Sequence, residues 1–234
     1  MKTKSETPKF MHRARTPRAA AFVGILFGVL FALCIVLLHL AMPPGFADMN
    51  AWTDAGRSRA AAAFGLMPLA GLAFLWFLGV VRDRLGVYED QFFATVFQGS
   101  GLLFLAMTFC TFAIGAGMLT AYSLGGDEIM TISIFVVGRS IISQMFNIYA
   151  LRMAAVFMFS LSTLWLRTAV MPRAVCFFTY AMAIAMFVGP NLSLLMVLVF
   201  PAWVFCVSVY ILFLSFRQKG PGGMDGMSAQ SEAG

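Results

Sequence analysis

The sequence predicts an all-α fold: a polytopic transmembrane helical bundle with six spans and both termini in the cytoplasm. Three observations predict it. Apolar residues make up 61% of the 234-residue chain and charged residues only 11%, whereas a soluble domain carries roughly 25% charge. The apolar residues gather in runs, several of which supply the ~20 residues a helix needs to cross the hydrocarbon core. No region between those runs is long enough for a soluble domain.

The elements follow in order. Residues 1–18 form a basic tail holding Lys2, Lys4, Lys9, Arg13, Arg15 and Arg18, which suits a cytoplasmic surface next to anionic lipid. The formal charge of +6 is concentrated there, so no nucleic-acid binding is expected. Span one covers 19–41. It is too long for the core of a signal peptide, and five apolar segments follow, so it reads as an uncleaved helix. Pro43-Pro44-Gly45 breaks it, and the loop to Arg59 carries Asp48, Trp52, Asp54 and Arg57. Span two covers 60–81, contains Pro68, and is ended by Arg82-Asp83-Arg84. Span three covers 92–121 and is long enough to require tilt. Ser123 to Glu128, with Gly125 and Gly126 between, reads as the next turn.

Segment 129–166 is too long for one crossing at about 1.5 Å per residue. Its crossing is placed at 145–166. Residues 129–144 are then an interfacial or re-entrant helix, or the protruding start of a long tilted one. Span five covers 174–189, Pro190-Asn191 makes a hairpin turn, and span six covers 192–216, bent at Pro201. The Gly/Ser-rich residues 217–234 read as a disordered cytoplasmic tail.

Orientation follows from the basic residues flanking the spans. With the amino terminus inside, the cytoplasmic segments hold twelve Lys and Arg and the outer loops two, Arg57 and Arg59, with Arg139 and Arg152 in segment four left out. Trp76 and Trp165 near inner helix ends and Tyr122 near an outer end agree with interfacial aromatic belts. The expected location is the cell (inner) membrane, with the lipid bilayer as the first partner.

Two features inside the spans suggest contacts. Ala20, Gly24, Gly28 and Ala32 form a groove of small residues along span one, and Gly24-x-x-x-Gly28 permits close helix approach. The groove serves either packing within the bundle or a homo-oligomer interface, because the motif specifies proximity and not the partner. In segment four, Arg139, Ser143, Asn147, Ser140 and Gln144 fall within one arc of about 140° at about 100° per residue. Arg152 lies off that arc on the same count. Ionisable side chains at membrane depth usually face a bundle interior or a water cavity. These six residues therefore outline a possible polar cavity open to the outer side. The competing readings are an amphipathic stretch at the outer interface and an Arg152 that snorkels to head groups.

The remaining chemistry is sparse. Gln98 is expected to bond a neighbouring helix. His39, near Met42 and Met49, reads as an interfacial side chain. Cys34, Cys110, Cys176 and Cys206 lie singly in apolar runs and behave as small hydrophobes, so neither disulfides nor a zinc site is expected. No Asp or Glu lies within the six spans, which disfavours carboxylate-coupled transport. With His12 and His39 at opposite ends of span one, two-histidine haem ligation cannot be built. Nucleophile elbows, zinc helices and phosphate loops are absent from the sequence. No catalytic residue, metal or cofactor is assigned.

Phe74-Leu-Trp-Phe-Leu-Gly-Val-Val-Arg-Asp-Arg-Leu-Gly86 closes span two, and Glu89-Asp90 and Ala94-Thr-Val-Phe-Gln-Gly-Ser-Gly-Leu102 open span three. The stretch from Phe74 to Gly117 resembles small bacterial multi-spanning membrane proteins of unassigned function. The resemblance implies a membrane bundle and carries over no site residues. The charges from Arg82 to Asp90 read as a clamp between adjacent helix ends. The function expected is a non-enzymatic accessory or scaffold subunit, with a membrane protein partner. A small-solute or anion transporter using segment four is the alternative, and a membrane-embedded enzyme the third reading.

Overall fold

A computed structural model describes residues 16–41, 53–85, 91–129, 132–168, 171–189 and 194–217. Among them the chain is helical almost throughout and contains no strand. The helices are α1 (Thr16–Ala41), α2 (Asp54–Leu85), α3 (Gln91–Ile129), α4 (Ile132–Gln144), α5 (Leu151–Thr168), α6 (Arg173–Val188) and α7 (Leu194–Arg217), and a π-helical segment (Met145–Ala150) joins α4 to α5 without a break. Five stretches are long and apolar enough to cross a membrane: Ala21–Ala41, Asp54–Arg82, Phe92–Gly125, Ile132–Thr168 and Met196–Phe213. The apolar helix Arg173–Val188 is shorter.

Several boundaries differ from the sequence reading. α2 starts at Asp54 because Thr53 caps it: Gly56 N–H donates to Thr53 Oγ1 at 3.1 Å, and Arg57 N–H to the Thr53 carbonyl at 3.0 Å. Asp54 and Arg57, expected in a loop, pair across its first turn. The turn expected at Ser123–Glu128 is helical, since α3 runs on to Ile129. Its hydroxyls bond inside the helix, Thr120 to the Ala116 carbonyl and Ser123 to the Thr120 carbonyl, so they do not compete with it. Segment four is one continuous helical rod from Ile132 to Thr168, about 55 Å long at 1.5 Å per residue. Residues 132–144, read from the sequence as part of an interfacial, re-entrant or protruding helix, are the first part of that rod. The clamp from Arg82 to Asp90, the turn at Pro190-Asn191, and the two tails at 1–15 and 218–234 lie outside the described residues or side chains.

Five helices converge on a core of aromatic rings. Phe27 and Phe31 enter from α1, Phe74 from α2, Phe104 from α3, Phe157 from α5, and Phe200 and Trp203 from α7, all buried. Phe74 meets Phe27 at 4.8 Å, Phe104 at 5.4 Å and Phe157 at 5.7 Å between ring centroids. Phe200 meets Phe104 at 4.7 Å and lies 6.0 Å from each of Phe27, Phe74 and Phe157. Lipid tails are as apolar as these rings, so close packing rather than escape from water holds the helices together. Aromatic pairs at such separations each contribute about 0.5–1.5 kcal/mol.

Glycines set how closely the helices approach. Gly24 and Gly28 are buried and face α7 within the same chain. A Cβ at Gly28 would stand 3.0 Å from the Pro201 carbonyl oxygen, and one at Gly24 would collide with the Ser208 hydroxyl. Gly71 meets the Phe109 ring of α3, and Gly138 meets Met118. Ala32 is half-buried, and the Ala20 side chain lies outside the described set. Gly101 and Gly115 touch neighbours, while Gly99 and Gly117 face open space.

Ser208 Oγ is buried against Gly24 with no hydrogen-bond partner. An unsatisfied buried hydroxyl costs about 1–3 kcal/mol. Ser208→Ala is therefore expected to leave stability unchanged or raise it, read as a thermal midpoint in detergent equal to or above the wild type. A drop of several degrees would show that the hydroxyl is bonded.

Candidate functional site

α6 is fastened to its neighbours by hydrogen bonds. Ser162 Oγ on α5 donates to the Cys176 carbonyl at 2.8 Å, Thr163 Oγ1 and Tyr180 Oη lie 2.7 Å apart, and Trp203 Nε1 on α7 donates to Thr179 Oγ1 at 3.0 Å. Interhelical bonds of this kind contribute about 0.6 kcal/mol on average in a bilayer. Gln98 is half-buried and makes no hydrogen bond to a neighbouring helix among the described residues.

A further set of surface polar groups lies along the Ile132–Thr168 rod. None of the residues of α4 is buried. Ser140, Ser143 and Gln144 are exposed, and Arg139 and Asn147 are half-buried. With Phe135 and Val136, four of them line an open groove of about 340 Å³: Arg139, Ser140, Ser143 and Gln144. Ser140 Oγ donates to the Val136 carbonyl at 2.8 Å, and Asn147 Nδ2 donates to Ser143 Oγ at 3.1 Å. The Asn147–Ser143 bond places both side chains on one face.

The π segment changes where Arg152 points. In a π turn each N–H reaches the carbonyl five residues back, as Leu151 N–H does to the Phe146 carbonyl. The turn holds one residue more than an α turn, so positions beyond it are rotated back by about 100°. On a plain α-helical count from Arg139, Arg152 stands near 220°, outside the polar arc; after the π turn it stands near 120°, inside it. On this count the π turn brings Arg152 within the range of the arc. Along the rod Phe146, Ala150, Leu151, Ala154, Phe157 and Met158 are buried, while Arg152 is exposed.

The depth of Arg152 follows from its neighbours. Phe146 packs 6.5 Å from Phe31, the midpoint of the apolar run Ala21–Ala41, and Phe157 packs 5.7 Å from Phe74 in the middle of the core. Arg152 lies between these contacts, about 9 Å along the axis from Phe146 and about 7.5 Å from Phe157. It makes no hydrogen bond or ion pair among the described residues. Arg167, at the far end of α5, sits over the Phe93 ring at 4.5 Å.

Among the described residues no group of three or more His, Cys, Asp or Glu is placed to hold a metal ion. The four cysteines are free, with Cys34 and Cys176 buried and Cys110 and Cys206 exposed. Comparison with known protein families, with curated proteins and with solved structures finds no match to this chain.

Proposed function

We propose that this integral membrane protein crosses the bilayer six times with both termini in the cytoplasm and acts as a non-enzymatic accessory subunit. One observation carries the proposal. The long rod presents one face to the aromatic core and, on another, an open polar edge from Arg139 to Arg152. Such an edge is costly in lipid and is relieved by a partner. Six crossings are supported by α6, which returns along α5 through the Ser162 and Thr163 bonds. At 16 residues it is about 24 Å long, enough for a thinned bilayer. The orientation rests on the basic residues of the inner segments. A cell (inner) membrane location, and kinship with the small bacterial proteins that the Phe74–Gly117 stretch resembles, belong to the same proposal.

Purification in mild detergent is expected to recover a stoichiometric membrane partner with the wild-type chain. The 340 Å³ groove beside Arg139 favours a second reading, a small-solute or anion transporter. Single cysteines from Gly138 to Met153 separate the two. With the partner in place, positions 147–153 are expected to resist a membrane-impermeant thiol reagent. Labelling along one helical face down to residue 152, with substrate-dependent stabilisation of the lone chain, would favour transport instead.

A further inference from the structure

We infer that the edge from Arg139 to Arg152 docks a membrane-spanning helix of another protein carrying an Asp or Glu within the hydrocarbon core at the level of Arg152, with Arg152 as the counter-charge. The inference rests on the accessory-subunit reading and adds the chemistry of the partner.

Depth is the first support. The hydrocarbon core is about 30 Å thick; Phe146 packs against Phe31 at the midpoint of the run Ala21–Ala41, and Arg152 lies about 9 Å further along the rod, still inside that core. A helical side chain leans toward the amino-terminal end of its own helix. For Arg152 that is the direction of Tyr149 and the outer interface, the length of α4 away. Snorkelling toward the inner head groups would run against that lean. An exposed guanidinium at this depth needs a counter-charge within the bilayer.

Charge complementarity is the second support. The apolar stretches hold no carboxylate except Asp54 at the outer start of α2, already paired with Arg57. A second copy of this chain therefore brings no acid to the level of Arg152. A bidentate Arg–carboxylate pair satisfies both groups and fixes a register. The neighbouring Ser143, Gln144 and Asn147 supply hydrogen-bonding capacity along the same edge, and exposed Tyr149 offers a ring beside it.

The test reconstitutes the full chain in phosphatidylcholine vesicles with a labelled synthetic Leu/Ala helix bearing one Asp about six residues from its midpoint, and reads association by energy transfer. The Asp helix is expected to associate about tenfold more tightly than the same helix with Leu there. Arg152→Gln is expected to abolish the preference, and Arg152→Lys to retain part of it. An unchanged thermal midpoint for both variants shows that they are folded. Equal association of the Asp and Leu helices, or a preference that survives Arg152→Gln, would overturn the inference. So would loss of the preference on adding phosphatidylglycerol, which would make Arg152 a head-group ligand. The native preparation keeps the two readings apart. A partner that co-purifies equally well with Arg152→Gln sinks the docking chemistry alone, whereas no partner with the wild type sinks the accessory role.

Discussion

Phe200→Ala is expected to destabilise the protein by about 3 kcal/mol, at the lower end of the range for removing a buried aromatic ring. Phe200 is fully buried and meets rings from four other helices. Truncation opens a cavity where α1, α2, α3, α5 and α7 meet, and no single helix can shift to fill it without leaving another. The lower end applies because the ring would otherwise face lipid, so little transfer free energy is lost and the missing contacts dominate. Phe200→Leu should cost about half as much, since it restores part of the volume. Phe213, 63% exposed on the same helix, is the control: its alanine variant should stay within about 0.5 kcal/mol of wild type. Trp203, stacked 6.1 Å from Phe200, reports unfolding by its fluorescence. Equal midpoints for the two alanine variants would mean that the rings do not form the core described here.

The second large effect is expected at Gly28. Gly28→Ala should cost about 2 kcal/mol and Gly28→Leu at least about 3 kcal/mol, because overpacking a tight contact forces backbone apart. The obstacle is the Pro201 carbonyl, a main-chain atom that cannot rotate away, together with Phe205 Cβ at 3.0 Å. At Gly24 the nearest atom belongs to the Ser208 side chain, so Gly24→Ala should be partly rescued by Ser208→Ala. Gly79 has open space where a Cβ would go, and Gly79→Leu should be tolerated. Detergent unfolding of these five variants measures the contrast. If Gly28→Leu and Gly79→Leu unfold together, the close contact between α1 and α7 does not exist.

Hydropathy alone located the apolar runs, because a solvent of lipid tails demands length and oiliness and little else. The faces of the helices were harder to read. Phe74 and Trp76 are equally apolar, yet Phe74 is fully buried and Trp76 is 58% exposed; a span oily all round carries no amphipathic signal to separate core from lipid. The small residues at Gly24 and Gly28 announced a close contact, but only the fold shows α7 as the neighbour. Gly71 carries the same kind of contact with α3 without a repeating motif to flag it. The hydroxyls of Ser162 and Thr163 gave no hint of α6, since such groups bond their own backbone as readily as another helix. Ser123–Glu128 looked like a turn because in water that composition favours one, whereas here its hydroxyls close back into α3. The polar arc of segment four was visible from spacing, but the place of Arg152 in it was not. That depends on the five-residue hydrogen bonding of the π turn Met145–Ala150, which has no signature in composition.

That turn divides the rod into two halves with separate phases. Below it, α5 is locked by its ring contacts; above it, α4 touches chiefly α3, through glycine and methionine. A π turn amounts to one inserted codon. Deleting that codon would leave α5 seated while swinging α4, and the groove with it, by about a quarter turn. The azimuth of the polar face is thus adjustable by the smallest in-frame change a gene can make, without repacking the interior.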